Sequence, residues 1–516
     1  MRWFKNLSSE SRWLFALVTV HTVVRMVAAS FADLGIDEAY YWAWSKHIDL
    51  SYFDHPPMVA YLIRCSTFLF GDGTLAVRLP SILLSAGFLV VMFKLSTRLY
   101  NTPRVGWLTA LFCTLSPITY ALGFLMLPDA PLMFFSALVL YVFLDFVGGK
   151  QDAWWLGGIM LGCALLSKYN GILLGLSAIA FLATGFPNDR RLLRSWRLAG
   201  AAVIAAAVFI PVIVWNAQHQ WASFSFQLRH GFGGSQSAWW ILVPGSILAQ
   251  SGYVSPVIWM GSARTLVKSA QNMMRDSRAR FIAMFGGIPI LFFLVAGFRT
   301  PGLPHWAAVG YAVLFIGIAA WCDMNFRAKK IMLWGGVLFG ALPLLLLSVH
   351  ASIGLIGLPY QIRLGDKDIR IRDQTDMIHG WSEWSEVVRE MTLPGGQAEG
   401  VAAVVTHHWM VGGKALYALK NTGIPVVVWN SVRTTQFDFW SAPEDYIGKD
   451  LLFVTTSQMD TAGVYRRADA FYRADAFDEL PEVSWPKANM QVTKFKMEIV
   501  RGFRGLKQFT RHGTSI

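Results

Sequence analysis

Five short blocks of acidic, basic and imidazole side chains stand out from an apolar background. Asp37 and Glu38 open the run Asp37-Glu38-Ala39-Tyr40-Tyr41-Trp42. A carboxylate there can take a proton from an attacking hydroxyl or hold a divalent ion. Paired acids equally suit the first turn of a helix beginning near Ala39, where they offset the positive end of its dipole. Tyr52-Phe53-Asp54-His55-Pro56-Pro57 presents an acid and an imidazole beside two prolines that fix the backbone; a turn with a solvated Asp has the same pattern. In Leu127-Pro128-Asp129-Ala130-Pro131 the acid opens an apolar run, either as a helix-start residue or as a second functional carboxylate. Ser167-Lys168-Tyr169-Asn170-Gly171 joins two apolar runs, and its ammonium suits a phosphate or snorkels to the membrane edge. Pro301-Gly302-Leu303-Pro304-His305-Trp306 offers one imidazole, packed or ligand-binding. Arg25 and Arg78 have the same two readings, an anion partner or a snorkelling cation, whereas His407-His408 reads as structural.

These blocks need a scaffold, and the rest of the chain supplies a membrane one. Of 516 residues, 54% are hydrophobic and 15% charged, where soluble proteins carry about a quarter charged. Mean hydropathy is +0.42. Apolar windows long enough to cross a bilayer core of roughly 30 Å recur from Trp13 to Val349. They predict spans near 13–32, 75–97, 106–123, 128–147, 153–167, 171–186, 197–215, 239–261, 281–298, 304–321 and 331–350, about eleven in all. Arg2 and Lys5 before a run ending Val27-Ala28-Ala29-Ser30 outline a signal peptide. The block and the many spans beyond it favour an uncleaved first helix instead.

Lys and Arg set the orientation. With the N-terminus inside, inner loops hold Arg98, Arg104, Lys150, Arg190, Arg191, Arg194, Arg197, Arg264, Lys268, Arg275, Arg278, Arg280, Arg327, Lys329 and Lys330. Outer loops hold only Lys46, Arg64, Lys168, Arg229 and Arg299. The net charge of +13 is therefore a topology signal and gives no reason to expect nucleic acid. Residues 1–355 read as the membrane domain, with aromatic-rich interfacial helices at about 33–74 on its outer face. Residues 356–516 read as a soluble domain, placed outside by the odd number of spans: the periplasm of a bacterium. Gly400–Thr406, Ile424–Trp429 and Leu451–Thr456 look like strands and 409–420 like a helix, the order β, α, β, β of a small, partly parallel α/β domain. Cys65, Cys113, Cys163 and Cys322 lie outside this domain, so no disulfide framework is expected there. In this topology Asp37, Glu38, Asp54, His55, Asp129, Lys168, Asn170 and His305 all fall at the outer face, where ionisable groups usually mark function or a pairing partner.

In order and spacing the motifs resemble the GT-C membrane glycosyltransferases, in particular bacterial relatives of protein O-mannosyltransferases and of the lipid A aminoarabinose transferase. The resemblance covers roughly 10–350. It rests on Asp37-Glu38 after the first span, the 52–57 block, Pro128-Asp129-Ala130, Lys168 and Pro304-His305-Trp306. It implies a polytopic α-helical inner-membrane enzyme that takes a sugar from an undecaprenyl-type polyprenyl-phosphate carrier. The acceptor would be lipopolysaccharide, another envelope glycolipid or a protein. It further implies catalytic roles for Asp37, Glu38 and Asp129, and substrate binding by Tyr52, Asp54, His55, Arg78, Lys168, Tyr169, Asn170 and His305. A divalent ion on Asp37, Asp54 and Asp129 fits the same residues. Three positions depart from the aminoarabinose transferase: Asp54 stands for a glutamate and His55 for a lysine, which weakens metal or phosphate roles there, and Tyr40 for an arginine, which weakens the case for that particular sugar. A transporter of a lipid or sugar is the competing reading; such proteins bind at mid-membrane, usually between repeated halves, and no repeat is visible here.

Overall fold

The computed structural model describes residues 8–150, 152–233, 238–300, 302–353, 361–364, 367–370, 379–429, 433–457, 467–487 and 490–507. The chain divides into two compact units, Met1–Ser30 with Asp49–Leu345, and Phe31–Ile48 with Leu346–Ile516. The acidic segment expected among the outer helices of the membrane part thus clusters with the C-terminal residues.

Among the described residues, seven helices are long and apolar enough to span a membrane: Ser9–Phe31, Thr74–Tyr100, Asp129–Val147, Trp196–Gln218, Ser277–Ala296, Pro304–Met324 and Phe326–His350. An eighth is broken, because Trp239–Val254 and Pro256–Asn272 meet at 111°. Pro256 cannot continue a helix, and Ser255 sits at φ +84, pinned by donation from its hydroxyl to the Gly335 carbonyl at 3.2 Å. The expected span at 106–123 is cut by Pro117 into Pro103–Leu115 and Pro117–Leu122. Ala153–Ser167 has 15 residues, about 22 Å at the helical rise and short of a full crossing. Against the expected count of about eleven, the described residues thus hold seven helices long enough to span, or eight with the bent pair, plus shorter apolar helices.

Small residues let the shorter helices pack. Gly158 and Gly162, one turn apart, face Ala201, Ala205 and Val208 on Trp196–Gln218. A Cβ on Gly158 would lie 2.6 Å from the Ala201 carbonyl, and one on Gly162 2.5 Å from Val208 Cβ. Lipid-embedded helices associate through such close approach.

The second unit carries a sheet in the order Val426–Val428, Ala403–Thr406, Leu451–Thr456, Met490–Arg501, Ala476–Glu479, with Val483–Lys487 also paired to Met490–Arg501. The first three strands are parallel and the rest antiparallel. Side chains alternate as the pleat requires. Val404, Leu452 and Val454 pack with Trp381 and Trp384 of the helix Trp381–Thr392. Ala403, Val405, Leu451 and Phe453 pack with Phe471 and Phe503 on the opposite face. His407 stacks on Phe471 at 3.9 Å, and His408 caps the helix Trp409–Ala418 by accepting from the Met410 amide at 3.3 Å. The pair is structural, as its sequence context suggests.

Two measurements probe this architecture. Gly162→Ala should lower the thermal midpoint of the detergent-solubilised protein, overpacking costing about 1–3 kcal/mol. Gly157→Ala, whose Cβ meets only Val142 at 3.7 Å, should raise it through the helix propensity of Ala. In the second unit, burial and then the Arg433 charge push His408 down to about 4. The unfolded chain, titrating near 6.5, takes up its proton first as pH falls. That stability is complete above about pH 6.5 and is lost progressively towards pH 4. His408→Asn keeps a capping acceptor and should flatten the acid limb of a melting series; an unchanged limb contradicts the assignment.

Candidate functional site

Asp129 is the first residue of Asp129–Val147, after Pro128 at φ −55. Pro131 lies in the same first turn, where a missing N–H leaves no helical bond unmade. Lys168 follows the end of Ala153–Ser167 with extended backbone. Its Nζ donates to Asp129 Oδ1 at 2.9 Å and Oδ2 at 2.8 Å, and both side chains are buried, with 6% and 5% exposure. His305 sits on the 3-10 turn Pro304–Ala307, with Nε2 3.9 Å from Asp129 Oδ2. His55 lies close enough to act on Asp129 electrostatically. Three of the predicted cationic or imidazole side chains, from three separate segments, therefore converge on one predicted carboxylate.

The loop carrying Asp54 and His55 is held by Asp49, a residue that sequence reading passes over. Asp49 Oδ2 accepts from Trp215 Nε1 at 2.8 Å, its amide donates to the Tyr52 hydroxyl at 3.2 Å, and its carbonyl accepts from the Tyr61 hydroxyl at 2.8 Å. Tyr52 is buried, and burial pushes its hydroxyl upward, so it stays protonated. Asp54 is buried too, and its carbonyl accepts from Gln227 Nε2. Gln227 belongs to Ala222–Phe232, a helix whose Ser223 hydrogen-bonds the Tyr169 hydroxyl at 2.6 Å and whose Phe226 meets Phe53 at 4.8 Å. Asn170 forms the 3-10 turn Tyr169–Gly171. Ala222–Phe232 thus ties the 52–57 block to the 167–171 block; its mixed polar and aromatic residues were the available signal.

Arg25 and Arg78 do not snorkel; each is 1% exposed. Arg25 Nη1 meets His21 Nδ1 at 2.6 Å and Nη2 donates to the Tyr120 carbonyl at 3.1 Å. The Arg78 guanidinium lies 4.9 Å from the Phe124 ring, beneath the stretch that leads to Asp129.

Asp37 and Glu38 belong to the other unit, on the helix Ile36–Lys46. It begins three residues before the expected start. Glu38 is buried and its Oε2 accepts from the Gly35 amide at 2.8 Å, which makes it a helix cap, while Asp37 is exposed. Among the described residues no three His, Cys, Asp or Glu side chains gather closely enough to hold a metal ion. The divalent ion expected on Asp37, Asp54 and Asp129 is thus not shown.

Residues 54–215 match the family model described as dolichyl-phosphate-mannose-protein mannosyltransferase. The lipid A galacturonosyltransferase RgtD of Rhizobium johnstonii is 26% identical over 326 residues, 59% of this chain and 64% of that protein. An undecaprenyl phosphate-alpha-4-amino-4-deoxy-L-arabinose arabinosyl transferase of Pseudomonas fluorescens is 24% identical over 276 residues, 50% of this chain and 48% of that protein. The matches thus span less than two thirds of either relative. ArnT from Cupriavidus metallidurans, solved bound to undecaprenyl phosphate, superposes with a TM-score of 0.62 at 15% identity, over 95% of this chain and 98% of that one. The chain has the fold its motifs resemble: an ArnT-like GT-C membrane architecture with a C-terminal sheet.

The pair at the centre of the site predicts an asymmetric mutational response. Lys168→Met leaves a buried carboxylate without its ammonium and should cost roughly 3–5 kcal/mol of stability. Adding Asp129→Asn should recover most of that loss in thermal unfolding. Additive losses would show that the two side chains are not coupled.

Proposed function

We propose that this chain is an inverting glycosyltransferase that moves a sugar from a polyprenyl-phosphate carrier to lipid A or a related envelope glycolipid. It would work at the periplasmic face of a bacterial inner membrane, with the C-terminal unit in the periplasm. The observation that carries this reading is the buried Lys168–Asp129 pair flanked by His305 and His55. An ammonium has three N–H donors, and a carboxylate occupying two leaves one for a phosphate oxygen. The carboxylate aims the ammonium in a site where water would otherwise have to do so. The substrates named for RgtD and ArnT supply the chemical class, and the shared fold favours transfer over the transport alternative.

In the proposed step an acceptor hydroxyl oxygen attacks the anomeric carbon of the donor. The bond from that carbon to the phosphate oxygen breaks, and the polyprenyl phosphate leaves with the electron pair. Lys168 offsets the charge that develops on the phosphate, and His55 and His305 are placed to donate a ring N–H to its oxygens. Asp37 takes the hydroxyl proton as general base; with a phosphate acceptor no base is needed, and Asp37 would position the sugar. Glu38, a cap, supports Asp37 through the backbone. Tyr52 and Tyr169 hold the blocks that bear His55 and Lys168.

The test is mass spectrometry of lipid A, total lipids and envelope proteins from cells lacking the gene, and from the same cells restored with wild type, Asp37→Asn or Lys168→Ala. The expected result is a sugar-sized mass lost on deletion, regained with wild type and absent with either variant at equal protein level. Full rescue by both variants, or no change in any glycan on deletion, would overturn the proposal.

A further inference from the structure

We infer that the C-terminal unit is a clamp that sets the position of Asp37, with Lys414 and Tyr40 as its positioning residues. The inference rests on the catalytic reading of Asp37 above. Residues 31–48 follow the first span and lead back to Asp49, yet they cluster with residues 346–516. Helix Ile36–Lys46 has 11 residues, too short to persist alone in water, so its geometry is dictated by what it packs on.

The contacts fall before, along and after the helix. Ahead of it, the buried ammonium of Lys414 donates to the Leu34 carbonyl at 2.8 Å. Along it, the Tyr40 hydroxyl accepts from the Gln436 amide at 2.7 Å. The Tyr40 ring lies 5.1 Å from Trp409 and 5.3 Å from Phe437, and Trp42 meets Tyr417 edge-on at 5.1 Å. Beyond it, His47 stacks on Trp440 at 4.4 Å. Gly413 allows backbone contact, since a Cβ there would sit 3.0 Å from the Tyr40 nitrogen. Residues 38–45 are all buried, whereas Asp37 is exposed. The unit grips the segment on both sides of Asp37, which is itself exposed. The departure at Tyr40 acquires a physical role: its ring and hydroxyl serve the grip.

The experiment uses the full-length protein in nanodiscs as wild type, Lys414→Met, Tyr40→Phe and, as a control in the same unit, Asp478→Asn. Hydrogen exchange is read at the amides of 36–46 and of the core strand 451–456. Lys414→Met should speed exchange in 36–46 by about tenfold or more and leave 451–456 and the control unchanged. Unchanged exchange in 36–46 overturns the clamp. If Lys414→Met also loosens 451–456, Tyr40→Phe, which removes only the hydroxyl, decides on the same readout. Transfer is then measured with the polyprenyl-phosphate lipid fraction of the producing cells as donor. A fall in kcat with KM for that fraction unchanged supports positioning, and a loosened segment with full kcat overturns it. If wild type transfers no sugar while the segment still loosens, the clamp stands and the transferase reading falls.

Discussion

The membrane unit is organised around one ion pair taken out of water, and the proposed transfer depends on it. Moving a carboxylate and an ammonium into a low-dielectric interior costs several kcal/mol per ion, and mutual attraction offsets this only when the geometry is good. Lys168 Nζ meets both oxygens of Asp129 within 2.9 Å, which supplies that geometry. A pair of this kind is a weak source of net stability, and replacing both partners with apolar side chains often costs little. Under the proposed function the pair is kept because an anion is received at the same place. His305 and His55 lie around the same carboxylate and add ring nitrogens to that side of the site.

What brings the pair together is a set of helix breaks. Pro128 and Pro131 start the Asp129 helix, Lys168 terminates a 15-residue one, and Pro304 opens the turn that carries His305. Non-helical backbone at membrane depth is tolerated where it is buried in protein or lines a cavity. The polar side chains therefore sit where the helices stop. Ala222–Phe232 and Asp49 hold the 52–57 block from the side, through Gln227 and Trp215. The second unit has a comparable logic on a smaller scale, with a sheet and helix shaping an 11-residue segment that has little stability of its own.

Much of this is legible in the sequence because its signals are local. Asp129 lies between two prolines, and Lys168 is a cation where the charge bias calls for none. The strands Ala403–Thr406, Val426–Val428 and Leu451–Thr456 fall within their expected runs. Long-range partnerships are not legible. Trp215 finds Asp49 across 166 residues and Gln227 finds Asp54 across 173, and no local pattern marks either. The long strand Met490–Arg501 places Phe495, Met497 and Ile499 in one core face, but Lys494, Lys496 and Glu498 at the alternate positions give its sequence a polar character. Glu38 shows the limit of motif reading. Two adjacent acids look equivalent until the backbone assigns one to a cap and leaves the other exposed.

The most direct test of the central claim is native mass spectrometry of the purified full-length protein with undecaprenyl phosphate, for wild type and Lys168→Ala. One lipid phosphate should be retained by wild type and lost from the variant, with neutral lipids retained equally by both. Equal retention of undecaprenyl phosphate by the two proteins, or none by wild type, would contradict the assignment of this buried pair to the carrier phosphate.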